Sequence, residues 1–184
     1  MKIFGIDPGS ERTGYGCVEI DGSRHRIITS GAIRTPTTAS FPEKLLSIHT
    51  GLAALLGECQ PDCVAIENIF HASNARSALK LGHARGVAML AAVQSGVPVF
   101  EYTPAEVKRA VVGYGRAEKH QVQQMVKLIL GLAVLPTPFD ASDALAIAIC
   151  HSHSLAPAGV PVPVTPKVKT RAATSWRHYR PEGS

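Results

Sequence analysis

The stretch Lys2-Ile3-Phe4-Gly5-Ile6-Asp7-Pro8-Gly9-Ser10 decides how the rest of the chain reads. An apolar run meets an acid, and Pro-Gly-Ser turns the chain directly after it. That is a buried strand whose exit carries a carboxylate. A second stretch repeats the arrangement: Cys63-Val64-Ala65-Ile66 is short, apolar and fit for a buried strand, and it stops at Glu67. In open α/β sheets, ligands bind outside the carboxyl ends of the strands. If these two strands are neighbours, Asp7 and Glu67 project into one crevice. Strands often end in a polar residue for no chemical reason, so neither acid is decisive alone.

Between the two runs, Tyr15 to Ile20 carries β-branched and aromatic residues and ends at Asp21-Gly22, a hairpin signal that needs positive φ. Arg24 to Ile33 is the return strand, completing a three-strand meander. The period then changes. Leu45, Leu46, Ile48, Leu52, Leu55 and Leu56 fall at helical spacing, and Gln60-Pro61-Asp62 ends that helix.

Ala72 to Ser95 predicts a long helix with Asn74 as N-cap. It is apolar or small on nearly every side, so it is buried on more than one face, against its own sheet or against a second subunit. Gly82 and Gly86, one turn apart, allow another backbone close. Val97 to Tyr102 is the next strand. Thr103-Pro104-Ala105-Glu106 starts a helix, with a Thr cap, Pro at the first position and Glu three after the cap. After a Gly113-Tyr114-Gly115 loop come helices over Gln121 to Leu132 and Ala141 to His153, separated by Pro136 and Pro138. The order βββαβαβααα makes an α/β domain with an antiparallel edge on an otherwise parallel sheet, flanked by helices.

The last helix opens on a second pair of acids, Asp140 and Asp143. Residues three apart on a helix lie roughly 60° apart around the axis and about 4.5 Å along it, so one helix start offers both carboxylates to one side. Asp140 as a plain N-cap and Asp143 as a first-turn acid are the simpler alternatives. The run Ala144 to Ile149 buries the helix and presses its start against the sheet. Were all four acids to meet, each like-charged pair at about 5 Å would repel by ~3 kcal/mol at an effective dielectric near 20. Such a cluster needs cations or protons. Hard oxygen ligands select Mg²⁺ or Mn²⁺. Two such ions balance four carboxylates, in the arrangement that activates water and stabilises a leaving oxygen in phosphodiester cleavage.

The whole has 184 residues, 45% of them hydrophobic, enough for one domain with a substantial core. No run is long and apolar enough to span a membrane, and the start lacks signal-peptide anatomy. Cys17, Cys59, Cys63 and Cys150 are scattered, without zinc-ligand spacing, which points to a reducing, cytoplasmic setting without disulfides. The net charge is +5, of which +4 sits in residues 157–184, a stretch that also holds five of the 13 prolines. We therefore expect a domain over 1–156 and an extended or disordered basic tail over 157–184, suited to a polyanion or merely solubilising.

Taken in order, these segments resemble the RuvC family of Holliday junction resolvases. The matching stretches are Gly5-Ile6-Asp7-Pro8-Gly9-Ser10 with Thr13-Gly14-Tyr15-Gly16, Ala65-Ile66-Glu67, Asn74 to Gly82, Ala84 to Ala88, Pro98 to Tyr102, Ala117-Glu118-Lys119, and Asp140 to Ala148. They run with even spacing over residues 2–153, and the tail lies outside them. The resemblance implies an RNase H-like fold with a mixed five-stranded sheet. It implies a homodimer, paired through the helix at about 74–95, that nicks two opposing strands of a four-way DNA junction in recombination and repair. It implies two Mg²⁺ per subunit, with Mn²⁺ as a substitute, held by Asp7, Glu67, Asp140 and Asp143, and products with 5′-phosphate and 3′-hydroxyl ends. Phe70 would contact the junction as a wedge, and Lys108, Lys119 and Arg76 would contact DNA. A RuvA–RuvB branch-migration helicase complex would be the partner. Each DNA contact has an ordinary rival: Phe70 as a core aromatic, the lysines as solvated helix residues. His71, His83 and His120 read as surface or packing residues rather than bases. A nuclease of the same fold acting on RNA or flaps, an actin-like ATPase fragment and a non-catalytic junction scaffold are the competing functions.

Overall fold

Strand β1 (Lys2–Asp7) forms the middle of a five-stranded sheet in the computed structural model, which describes residues 1–68 and 74–155. Antiparallel to it runs β2 (Arg12–Asp21), and β3 (Arg24–Arg34) pairs with β2 across the Asp21-Gly22 turn, where Gly22 takes φ +57°. On its other side β4 (Cys63–Glu67) and then β5 (Val99–Tyr102) run parallel to it, giving the order β3-β2-β1-β4-β5. The parallel connections pass through helices, as they must.

Two layers cover the sheet. On one face lie α1 (Phe41–Cys59) and α2 (Ala75–Gln94), packing Ile48, Leu52, Leu56, Ala84 and Ala88 against Phe4, Ile6, Val64 and Ile66. On the other lie α3 (Pro104–Val112), α4 (Lys119–Ile129) and α5 (Phe139–Ser154), packed on Ile3, Val18, Cys63 and Ala65. The element order agrees with the sequence reading throughout, and the boundaries shift by a few residues. Helix α1 starts at Phe41, ahead of the apolar stripe. Ser40 N–H donates to the Glu43 carboxylate at 2.7 Å, and Pro42 occupies the first turn. Asn74 caps α2 as expected, its Oδ1 accepting from Ser77 N–H at 2.9 Å. Thr103 caps α3 in the same way, at 3.3 Å from Glu106 N–H.

Strand alternation settles which acids share a side. Ile3, Gly5 and Asp7 point to the α5 face of β1, and Cys63, Ala65 and Glu67 to the same face of β4. Across β2 that face carries Gly14, Gly16 and Val18, paired with Asp7, Gly5 and Ile3. Three glycines thus form a floor under α5, and the close fit needs them. A Cβ on Gly5 would meet the Ala144 carbonyl oxygen at 2.0 Å, and one on Gly14 the Asp140 carbonyl oxygen at 2.0 Å. Among the described residues, no helix is long and apolar enough to cross a membrane. Phe70, His71 and the 157–184 tail lie outside the described residues.

Candidate active site

Asp7 and Glu67 are the last residues of adjacent parallel strands. Ile6 is in register with Ile66, so the two acids follow side by side, about one strand spacing of 4.8 Å apart at the backbone. Each carboxyl acts on the other's titration. The start of α5 comes down beside them, because Gly14, the partner of Asp7 in the ladder, lets the Asp140 backbone settle on the sheet. Asp140 is not the N-cap: Pro138 holds that place, and Asp140 stands in the first turn with its side chain uncommitted to capping.

Asp7, Glu67 and Asp143 lie within reach of their neighbours' charges. Burial pushes the Asp7 carboxyl well above the usual range, and the charges of Glu67, Asp143 and Asp140 push it further. Burial is likewise the largest influence raising Glu67, followed by the charge of Asp143. Asp143 is raised by burial and by Asp140, and held down by Lys119. Two cations oppose this repulsion. Lys119, the first residue of α4, donates to Asp143 Oδ2 at 3.2 Å, and that carboxylate holds the lysine pKa above its ordinary value. Lys108, on α3, stabilises the charged forms of Glu67 and Asp143 from further off. Asp7, Glu67 and Asp143 thus stand at one edge of the sheet with Lys119 bonded to Asp143, while Asp140 and Lys108 act on them through charge. Arg76 stands exposed on the first turn of α2, and His83 and His120 lie on the surfaces of their helices, engaged with Leu79 and Gln124.

The four acids are all carboxylates, and burial raises Asp7, Glu67 and Asp143 above the usual carboxylate range. That chemistry suits a hard divalent cation and little else. Among the described residues, no three His, Cys, Asp or Glu side chains converge tightly enough to hold an ion as they stand.

Two supports were not anticipated. Gln123 of α4, 4% exposed, donates from Nε2 to the Pro136 carbonyl at 2.9 Å and so fixes the loop that delivers α5. The glycine floor was visible only as strand-weakening residues. Alternate glycines at 14 and 16 opposite Gly5 were the available signal, since glycine inside a strand often marks a close backbone approach.

Comparison with known proteins bears directly on this arrangement. The family model described as crossover junction endodeoxyribonuclease RuvC matches residues 3–151, more than three-quarters of the chain. The chain belongs to the RuvC family. The RuvC protein of Trichlorobacter lovleyi is 51% identical over 182 residues, spanning 98% of this chain and all of that one. The RuvC protein of Chloroflexus aggregans is 51% identical over 148 residues, 80% of this chain and 90% of its own. Thermus thermophilus RuvC, solved in complex with a Holliday junction substrate, superposes with a TM-score of 0.79 at 36% identity, over 84% of this chain and 94% of that chain. Its RNase H-like resolvase architecture is the one described above. The basic 157–184 stretch falls outside the family-model match.

Proposed function

We infer that this chain is a crossover junction endodeoxyribonuclease: it resolves four-way DNA junctions by paired, symmetric nicks that depend on divalent metal. The observation that carries this reading is the register Ile6–Ile66, which sets Asp7 beside Glu67 under the acidic start of α5, in a chain of the RuvC family. Asp7, Glu67, Asp140 and Asp143 would hold the metal, two Mg²⁺ per subunit or Mn²⁺ in their place. Bound there, the ions supply activation of the attacking water and stabilisation of the leaving oxygen.

The protein's own residues do the rest. Asp7 and Glu67, at the ends of adjacent strands, set the position of the scissile phosphate relative to the sheet. Lys119 lowers the repulsion among the acids. Its flexible stem lets it exchange the Asp143 carboxylate for a phosphate oxygen when DNA arrives. Lys108 supports the same charge from α3. Phe70 is the candidate wedge at an opened base step and Arg76 a candidate backbone contact. Hydrolysis at the 3′-oxygen leaves 5′-phosphate and 3′-hydroxyl ends.

A four-way junction presents two equivalent strands, so one molecule needs a two-fold partner. The outer face of α2 supports pairing there: Leu79 and Val93 are 65% and 62% exposed, and Leu45, Leu79, Gly82, Gly86 and Leu90 line a groove of about 500 Å³. Junction delivery by a RuvA–RuvB helicase complex and a cytoplasmic location complete the reading. The test is cleavage of a synthetic four-way junction with and without Mg²⁺, beside linear duplex and RNA–DNA hybrid. Ligatable symmetric nicks, only with metal and only on the junction, are expected. Asp7→Asn should keep junction binding and lose cleavage by at least about 100-fold. Cleavage of the hybrid alone would move the function to another nuclease of this fold.

A further inference from the structure

We propose that Arg85 is a positioning residue for Glu67, holding the end of β4 in the orientation that metal binding requires. This rests on the metal-site reading above and extends it to a side chain on the opposite layer of the fold. Arg85 lies on α2, next to Ala84, which is buried against the sheet. Its side chain is only 22% exposed and turns inward to the strand ends. There Nε donates to the backbone carbonyl of Glu67 at 3.3 Å, and the far end of the guanidinium pairs with the Glu101 carboxylate on β5. Glu101 is the register partner of Ile66, and the next rung is Glu67 with Tyr102.

The guanidinium therefore ties three elements together at the rung that carries the acid. Glu67 is the last residue of β4, and the next amide, Asn68 N–H, donates to the Tyr102 carbonyl at 2.7 Å. The peptide that sets the direction of the Glu67 side chain thus sits where the ladder is running out. A planar guanidinium fixed at both ends restrains it there in a way a lysine cannot, because Arg offers a rigid fork and Lys a single mobile point charge. The Glu101 side chain is 37% exposed, and an ion pair that open contributes little to folding. Partners of metal-ligating groups act instead on affinity for the metal, and losing one commonly costs about 10- to 100-fold.

The test uses the full chain carrying Arg85→Lys, Arg85→Gln or Glu101→Gln, with Glu67→Gln alongside. Mn²⁺ binding to the DNA-free protein is followed by loss of the free-ion electron paramagnetic resonance signal. Junction cleavage is followed against Mg²⁺ concentration, and junction binding in EDTA. Both Arg85 variants should bind Mn²⁺ about 10-fold more weakly and need about 10-fold more Mg²⁺ for half-maximal cleavage. Their rate at saturating Mg²⁺, their junction affinity in EDTA and their thermal midpoint should stay near wild type. Glu101→Gln should move the metal dependence in the same direction by less. Unchanged Mn²⁺ affinity and Mg²⁺ midpoint in Arg85→Gln would overturn the proposal. So would weakened junction binding in EDTA with metal binding intact, which would make Arg85 a DNA contact. Wild-type Mn²⁺ binding by Glu67→Gln would overturn the metal-site reading as well, and so separates the two failures.

Discussion

Replacing Gly14 by Ala tests the geometry of the site without touching any charged group. The added Cβ would stand 2.0 Å from the Asp140 carbonyl oxygen and 2.5 Å from its carbon. To reach ordinary contact at 3.4 Å, that oxygen must retreat by about 1.4 Å. Neither atom has freedom to yield alone. The Cβ is fixed to the ladder position opposite Asp7, and the carbonyl belongs to the first turn of α5. The start of the helix must lift, carrying Asp140 and Asp143 away from Asp7 and Glu67. Overpacking of this kind costs about 1–3 kcal/mol, and a misplacement near 1 Å in a catalytic centre costs about 100-fold in rate. For a domain of this size, 1 kcal/mol lowers the midpoint by roughly 2–4 °C, so Gly14→Ala should remain folded at 25 °C. We expect single-turnover junction cleavage at saturating Mg²⁺ to fall about 100-fold, with junction binding retained. Gly57→Ala is the matched control. It lies inside α1 with nothing within 4 Å of the added Cβ, so it should gain about 0.5–1 kcal/mol and cleave normally. A folded Gly14→Ala protein cutting at the wild-type rate would refute the idea that the glycine floor sets the site.

Other expectations follow from single contacts. Gln123→Ala leaves the buried Pro136 carbonyl without its partner, which should cost about 1–3 kcal/mol; a urea midpoint equal to wild type would show that water replaces the amide. His151 is 1% exposed, and burial pushes its imidazole from 6.5 down to about 4, with Nδ1 bonded to the Tyr102 hydroxyl at 2.6 Å. The unfolded chain takes up that proton first as pH falls. The stability associated with a neutral His151 is therefore complete above pH 6.5 and lost between 6.5 and about 4, by no more than about 3 kcal/mol. His151→Leu should flatten the fall in unfolding free energy between pH 7 and 4.5, and parallel profiles for the two proteins would contradict this.

The strands and most helices are legible in the residues because each is marked locally. Asp21-Gly22 encodes a turn with positive φ, Thr103-Pro104-Ala105-Glu106 a helix start, and the apolar runs before Asp7 and Glu67 the buried strands. The acids stand out for the same reason: an ionisable group at the end of a buried strand, or at the head of a buried helix, is expensive unless something uses it. Helix α1 begins at Phe41, ahead of its apolar stripe, because Ser40 and Glu43 form its capping box.

By itself, then, the amino-acid sequence determined the order of elements, the strand-end carboxylates and the family resemblance that joins them, because these depend on neighbours a few residues apart. Tertiary structure alone decided that Asp140 lies over Gly14, that Lys119 rather than another lysine reaches Asp143, and that Arg85 grips the backbone of Glu67. These contacts join residues 18 to more than 100 positions apart. They exist only because sheet register and the close seating of α5 bring the groups within a few ångströms, distances that no local pattern encodes.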